Sequence, residues 1–336
     1  MTLLKTPDFD RKHEVSIKIV IYDPIGLGPE VVSAIEHTAP TANVVAPSAE
    51  GLSAELADAE VFFGWHPEPT IFGEAKVLRW IQSTSAGMEK LLNPDLIARG
   101  LKICNASGVH APQVTETAWA LTLTIARGLP TYLRQQQEHH WGVGPLYDLD
   151  GGTAGIVGLG GIGRRYASIA SAFGMRVVAV DAHEPPKPNQ VESLWKMDCL
   201  DKLLAMSDVV LISCPFSKET LGLIDRGRLD CMKSTAILIN IARGGIVDED
   251  ALSDVLRVGG IAGAGLDVVA TEPLPPESPL WEVPNLVITP HCAGLSSRRI
   301  ARLTNFFCDN LRRYLADEPL ANVVDQDKGY PIPGSS

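Results

Sequence analysis

Apolar residues in this chain come in short runs, separated by longer stretches where they recur every three or four positions. In the first hundred residues the runs at 17–22, 43–46, 61–64, 80–83 and 102–105 read as strands. The stretches 29–36 and 89–99 read as helices. Such alternation predicts a parallel sheet with helices on its faces. A long helical pattern at 114–128, opening near Pro112-Gln113, leads into a second series. There the runs at 153–157, 175–180, 209–213, 236–241, 263–268 and 286–289 read as strands, and 164–173 as a helix. Between the series, 134–150 is polar and carries Trp141, Gly142, Gly144 and Pro145, an exposed excursion suited to subunit contact. A helix at about 296–316 would return the chain to the first domain, with the Pro- and Gly-containing tail 322–333 lying on that domain. The expected fold class is α/β, with two doubly wound parallel-sheet domains. Residues 111–296 form one of them, inserted in a discontinuous domain of 1–110 and 297–336.

One loop gives the second series a chemical purpose. Gly158-Leu159-Gly160-Gly161-Ile162-Gly163 lies between a predicted strand and a predicted helix. Asp181 follows at the end of the next strand, near the spacing of about 20 residues that a dinucleotide fingerprint requires. In that motif the first glycine permits a tight turn, the second lets a pyrophosphate approach the backbone, and the third lets helix and strand pack closely. The helix N-terminus offers N–H groups and a partial positive charge to the phosphates. Asp181 would accept hydrogen bonds from the ribose diol and would repel a 2′-phosphate. No arginine follows it in Ala182-His183-Glu184. The expected cofactor is NAD. The plainer reading of Asp181 is a turn-capping residue.

Composition narrows the partners. The 336 residues carry a net charge of −11, with no basic run longer than Arg298-Arg299 or Arg312-Arg313, so nucleic acid is not an expected partner. No apolar run approaches the roughly 20 residues of a membrane helix, and 1–14 is charged and lacks an apolar signal region. A cytoplasmic protein without a membrane partner is expected. The six cysteines form no C-x-x-C pair and indicate neither a disulfide framework nor a metal site.

Three polar residues follow predicted strand ends in the second series: Arg243, Glu272 and His291. Ligands of open parallel sheets bind outside the carboxyl ends of the strands, so all three can converge there. Their chemistry suits hydride transfer to a 2-keto acid. Arg243 can bind carboxylate and carbonyl through its planar fork. His291 can give or take the proton of the substrate oxygen. Glu272 can hydrogen-bond the other ring nitrogen and support the imidazolium. Taken singly, each has a plain alternative: a surface ion-pair partner, a turn residue, a structural histidine. Cys292 invites a thiol-nucleophile reading, which would need an activated thiolate. Trp65 and His66 follow a strand and either face substrate or serve packing.

With those residues in hand, the chain resembles the D-isomer-specific 2-hydroxyacid dehydrogenases over nearly its whole length. The glycine loop with Asp181, Cys214-Pro215, the segment Thr220-Leu221-Gly222-Leu223-Ile224 and the segment Ile239-Asn240-Ile241-Ala242-Arg243-Gly244-Gly245 carry the likeness. So do Leu266-Asp267-Val268, Glu272-Pro273 and Thr289-Pro290-His291-Cys292-Ala293-Gly294. The resemblance implies a Rossmann cofactor domain inserted in a flavodoxin-like substrate domain, and a homodimer formed through the cofactor domain. It implies a catalytic trio of Arg243, Glu272 and His291. It implies that Asp267 binds the nicotinamide carboxamide, with Cys214, Pro215, Ile241, Ala242 and Gly294 also lining the cofactor. It implies that the backbone N–H groups of Ser85, Ala86 and Gly87 hold the substrate carboxylate.

Departures from the family pattern fall at Val114-Thr115-Glu116-Thr117, at the substrate loop 84–90, and at Ser296-Ser297-Arg298-Arg299, where an extra arginine could meet a second anionic group. The expected activity is reduction of a small 2-keto acid such as glyoxylate, hydroxypyruvate or a pyruvate-like acid. Phosphoglycerate is less favoured, because relatives with that activity often add a regulatory domain. Formate is disfavoured by Glu272. The rivals are a non-catalytic NAD-sensing binding protein on the same scaffold and a cofactor-independent thiol hydrolase.

Overall fold

Buried residues run without interruption along the central strands, as a parallel sheet covered on both faces requires. The computed structural model describes residues 16–24, 26–65 and 68–332. The charged stretch 1–14, His66 and Pro333 lie outside them. The chain divides into two units, Met1–Ser107 with Ile300–Ser336, and Gly108–Arg299. The sequence expectation had placed these divisions at 110/111 and 296/297.

The first unit contains β1 (Lys18–Tyr22), β2 (Asn43–Val45), β3 (Val61–Gly64), β4 (Trp80–Ser83) and β5 (Lys102–Cys104). They pair in parallel in the order β2-β1-β3-β4-β5, the flavodoxin-like doubly wound order. Successive side chains of a strand point to opposite faces, so the pair Phe62-Phe63 feeds two cores. Phe62 meets Phe72 edge-on at 5.0 Å and packs with Leu52, Leu56, Ile81 and Ile103. Phe63 stacks at 4.2 Å on Phe307 of the helix Arg299–Leu315, and Trp80 stacks on Phe307 and Tyr314.

One expectation is corrected in this unit. The helix expected at 89–99 is confined to Pro94–Ile97. Asn93 caps it by accepting the Leu96 N–H at 2.7 Å, and Pro94 is suited to a first turn rather than a helix interior. The tail contributes a short antiparallel pairing of Val324–Asp325 with Tyr330–Pro331, and Val323 bridges Cys104.

The second unit contains β6 (Thr153–Val157), β7 (Arg176–Val180), β8 (Ser193–Trp195), β9 (Val209–Ile212), β10 (Ile237–Asn240), β11 (Gly263–Leu266) and β12 (Leu286–Ile288). Their order is β12-β11-β10-β9-β6-β7-β8, again all parallel. Counted along the chain, this is the Rossmann order 3-2-1-4-5-6 with one further strand.

Alternation again supplies both faces. Ile156, Val177, Leu211 and Ile239 pack with helices Ala111–Ala126 and Gly161–Ala172, where Trp119 stacks on Tyr166 at 4.4 Å. Val157, Val178, Ile212 and Leu238 pack with helices Leu200–Met206 and Glu249–Arg257. The polar excursion opens as a helix, Leu129–Gln137, before a stretch without regular structure in which Trp141 and Val143 are exposed. Among the described residues no helix is long and apolar enough to cross a membrane.

Candidate active site

Because every pair of strands in the second unit is parallel, the segments that follow their carboxyl ends all emerge on one edge of its sheet. Sheet order then decides their sequence across that edge. It runs from the segment bearing His291 after β12, through Asp267 and Glu272 after β11, Arg243 after β10 and Cys214 after β9, to the glycine loop after β6 and Asp181 after β7. Strands step by roughly 4.8 Å, so acid–base groups gather at one end of this edge and the glycine loop and Asp181 at the other.

The glycine loop has the geometry its motif demands. Gly158 sits at φ +93°, and an added Cβ would lie 2.7 Å from the Cys214 backbone. At Gly163 a Cβ would meet the Gly158 carbonyl oxygen at 2.3 Å, so strand and helix could not close. Gly160, the N-cap of helix Gly161–Ala172, faces open space, which leaves its backbone accessible to a phosphate. Ile162 is half-buried against the core.

Asp181 does the turn-capping work that its plainer reading foresaw. Its Oδ2 accepts the Leu159 N–H at 2.7 Å and its Oδ1 the His183 N–H at 2.8 Å. Each carboxylate oxygen has further lone-pair capacity, so a ribose diol can still be accepted. The residues present fit a dinucleotide: an open backbone at Gly160, a helix N-terminus, and a carboxylate tied to the same loop.

At the other end Glu272 Oε2 lies 2.6 Å from His291 Nδ1, and Glu272 Oε1 accepts the Val269 N–H at 3.2 Å. The Glu272–Pro273 peptide is cis. With Nδ1 engaged, Nε2 is the ring nitrogen left for chemistry. Both side chains of the pair are partly solvent-accessible. Arg243 is half-buried; its Nη1 donates to the Ala242 carbonyl at 2.7 Å. Asn240 wraps the Arg243 turn from within, accepting the Ala242 N–H and donating to the Arg243 carbonyl at 2.8 Å. Ile241 and Ala242 are buried beside it.

Asp267 is 2% exposed and holds the His291 segment. Its Oδ1 accepts the Thr289 hydroxyl at 2.6 Å and the Cys292 N–H at 3.1 Å. Its Oδ2 accepts the Ala293 N–H at 3.0 Å, and its carbonyl accepts the His291 N–H at 2.8 Å. His291 itself stands at φ +49°, a left-handed conformation that costs a non-glycine residue roughly 1–2 kcal/mol. Gln113 Nε2 reaches the Gly294 carbonyl at 3.1 Å. Sequence reasoning missed these holding roles of Asp267, Asn240 and Gln113; each is a single polar residue whose partners are mostly backbone groups, and no spacing rule marks it.

In the first unit the loop after β4 is also tied down. Thr84 Oγ1 donates to Asp23 Oδ2 at 2.7 Å, the Ala86 carbonyl accepts from Asn105 Nδ2 at 2.7 Å, and the Ser85 carbonyl accepts the Ala106 N–H at 2.9 Å. The Ser85 N–H donates to Ser83 Oγ at 3.1 Å. That spends one of the three amides expected to face an anion, and leaves those of Ala86 and Gly87.

A family model described as D-isomer specific 2-hydroxyacid dehydrogenase, NAD binding domain, matches residues 119–293. The chain belongs to the D-isomer specific 2-hydroxyacid dehydrogenase family. It is 36% identical over 266 residues to the glyoxylate reductase of Korarchaeum cryptofilum, covering 76% of this chain and 79% of that one. It is 31% identical to the hydroxypyruvate reductase of Blautia hydrogenotrophica, covering 82% and 88%. A match at 36% identity to the D-3-phosphoglycerate dehydrogenase of Archaeoglobus fulgidus takes in only 47% of that protein. Among solved structures, the family member from Xanthobacter autotrophicus Py2, in complex with NADPH and MES, aligns with a TM-score of 0.81 at 30% identity. That alignment covers 94% of this chain and 100% of that one. The family activity is oxidoreduction of 2-hydroxy acids, and the Rossmann unit of this chain is its cofactor-binding domain.

Thiol chemistry finds no support at this edge of the sheet. Burial pushes the Cys214 thiol up to about 12, and burial with the nearby Asp267 charge raises Cys292. A thiol whose pKa is raised is deprotonated only as pH climbs towards that value, so little thiolate exists at neutral pH. Iodoacetamide at pH 7 is therefore expected to label the exposed Cys231 before Cys292 and to leave Cys214 unmodified, read by peptide mass spectrometry. Faster labelling of Cys292 or Cys214 than of Cys231 would reveal an activated thiol.

Proposed function

We propose that this chain reduces small 2-keto acids of the glyoxylate and hydroxypyruvate type to the corresponding 2-hydroxy acids, of D configuration where the product is chiral, with NAD(H) as cofactor. The observation that carries the reading is the 2.6 Å pairing of His291 Nδ1 with Glu272, at the end of the sheet edge opposite Asp181. A module that only sensed NAD would have no use for a carboxylate-backed imidazole there. When bound, NADH supplies the hydride. Every other element of the reaction falls to the protein.

His291 donates the Nε2 proton to the keto oxygen as negative charge develops on it, and takes the hydroxyl proton in the reverse direction. Glu272 fixes the Nδ1–H tautomer through its hydrogen bond and stabilises the positive ring. Arg243 binds the carboxylate and polarises the carbonyl with its fork of donors. The Ala86 and Gly87 amides hold the substrate carboxylate. Asp267, besides holding the His291 segment, would help hold the nicotinamide carboxamide, since its Oδ2 carries fewer protein hydrogen bonds than its Oδ1. Cys214, Pro215, Ile241, Ala242 and Gly294 would line the cofactor.

NAD is favoured over NADP by the Asp181 carboxylate, a like charge to any 2′-phosphate. The family member from Xanthobacter autotrophicus Py2 holds NADPH, so family membership alone does not choose. The exposed apolar side chains Leu129, Leu133, Trp141, Val143 and Leu146 lie along one stretch of the Rossmann unit and are the surface assigned to a homodimer contact.

Two measurements test this reading. Steady-state kinetics should give a kcat/KM at least about tenfold higher with NADH than with NADPH, the equivalent of roughly 1.4 kcal/mol. Equal efficiency would mean that Asp181 does not face the ribose. His291→Ala should lower kcat for keto-acid reduction by roughly 10²–10⁴ while NADH binding, read by fluorescence, changes little. Near-normal turnover would remove His291 from the mechanism.

A further inference from the structure

The turn that carries Glu272 is held by a second carboxylate. The adjacent amides of Val269 and Ala270 point to different acids: Val269 N–H donates to Glu272 Oε1 at 3.2 Å, and Ala270 N–H to Glu249 Oε1 at 2.5 Å. Glu249 opens the helix Glu249–Arg257, directly after the turn that bears Arg243. In sequence, Asp248-Glu249-Asp250 reads as ordinary acidic decoration of a helix N-terminus. Only Asp248 serves as the cap, accepting the Ala251 N–H at 3.0 Å.

The two turns are also pressed together. A Cβ on Gly244 would fall 2.0 Å from the Val269 carbonyl carbon and 2.2 Å from Ala270 N. The Arg243 turn therefore lies directly on the Val269–Ala270 peptide of the turn that carries Glu272. Glu249 reaches across the same junction. Its half-buried carboxyl is raised above the ordinary glutamate range by burial first, then by the charges of Asp250, Glu272 and Asp248. A carboxylate so placed is costly unless its hydrogen bond is kept. Ala270 is exposed, so an apolar residue in place of Glu249 would leave its amide to water and remove the tie between the two turns.

We propose that Glu249 is a positioning residue for the Glu272–His291 pair: it holds the 269–272 turn so that Glu272 meets Nδ1 of His291, and couples that turn to the one bearing Arg243. The catalytic part of this inference rests on the keto-acid reductase reading; the positioning part does not. The role lies in the acceptor oxygen, so Glu249→Gln keeps it and Glu249→Ala removes it.

Two readouts test the inference on the full chain. In the first, NMR follows the ring Nδ1–H proton assigned to His291 by its disappearance in His291→Ala. Glu249→Ala should broaden or lose this signal, and Glu249→Gln should retain it. The second is a kinetic cycle with Glu272→Gln. Glu249→Ala should lower kcat about tenfold or more in the parent, Glu249→Gln should stay within about threefold, and Glu249→Ala should cost less than about twofold on top of Glu272→Gln. NADH binding and thermal midpoint identify any variant that fails to fold, in which case Glu249→Gln and the cycle decide. An unchanged Nδ1–H signal in Glu249→Ala, or losses that add fully in the double variant, would overturn the proposal. If the parent turns over no keto acid, the reductase reading fails and the NMR measurement alone decides the role of Glu249.

Discussion

The buried carboxylate of Asp267 is the constraint on which the acid–base end of the site depends. It gathers a hydroxyl and two backbone amides from the segment after β12, while its carbonyl takes the His291 N–H. These bonds hold His291 in a left-handed conformation that a side-chain-bearing residue does not adopt cheaply. Charge-assisted hydrogen bonds of this kind are each worth about 1.5–3 kcal/mol, enough together to offset the backbone cost. The imidazole is thus aimed by β11, its neighbour in the sheet, and its own strand carries only part of the task. Glu272, on the segment that follows Asp267, then meets the ring from the same strand end. Two acids five positions apart in sequence divide the work: the buried one fixes the backbone and the more accessible one fixes the ring.

The parallel sheet of the second unit explains why chemistry from distant parts of the chain falls in line. Three segments are anchored to a neighbour, Leu159 to Asp181, Ala270 to Glu249 and Ala293 to Asp267, and the Arg243 turn is tied from within by Asn240. A site built from such loops keeps its geometry through hydrogen bonds to backbone groups.

Most of the fold was legible because a doubly covered parallel strand writes itself as an unbroken apolar run. Val61–Gly64, Trp80–Ser83 and Thr153–Val157 were read to the residue. Ser193–Trp195 was missed: it is an edge strand of three residues, only partly buried, and makes no run. Leu129–Gln137 was missed because its buried contacts are few and its last turns are rich in Gln, so no apolar stripe marks the helix. At the site, the glycine loop, Asp181 and the Glu272–His291 pair were visible through spacing and neighbours. The share of Ser83 in the substrate loop was not, because a serine accepting one amide two residues on leaves no pattern. Asp267 was visible only as a cofactor contact, and Glu249 only as a helix-start acid. Their structural tasks are set by which backbone amides the folded turns present, and that is decided by tertiary contact.

The proposed reaction at this edge of the sheet passes a hydride from NADH to one face of the keto carbon and a proton from His291 to the keto oxygen. The most direct measurement is the chirality of the glycerate formed from hydroxypyruvate and NADH by the purified protein, resolved by chiral chromatography. The account predicts NADH consumption matched by D-glycerate as the sole enantiomer. Formation of L-glycerate or a racemate, or no turnover of hydroxypyruvate, glyoxylate or any small 2-keto acid, would contradict it.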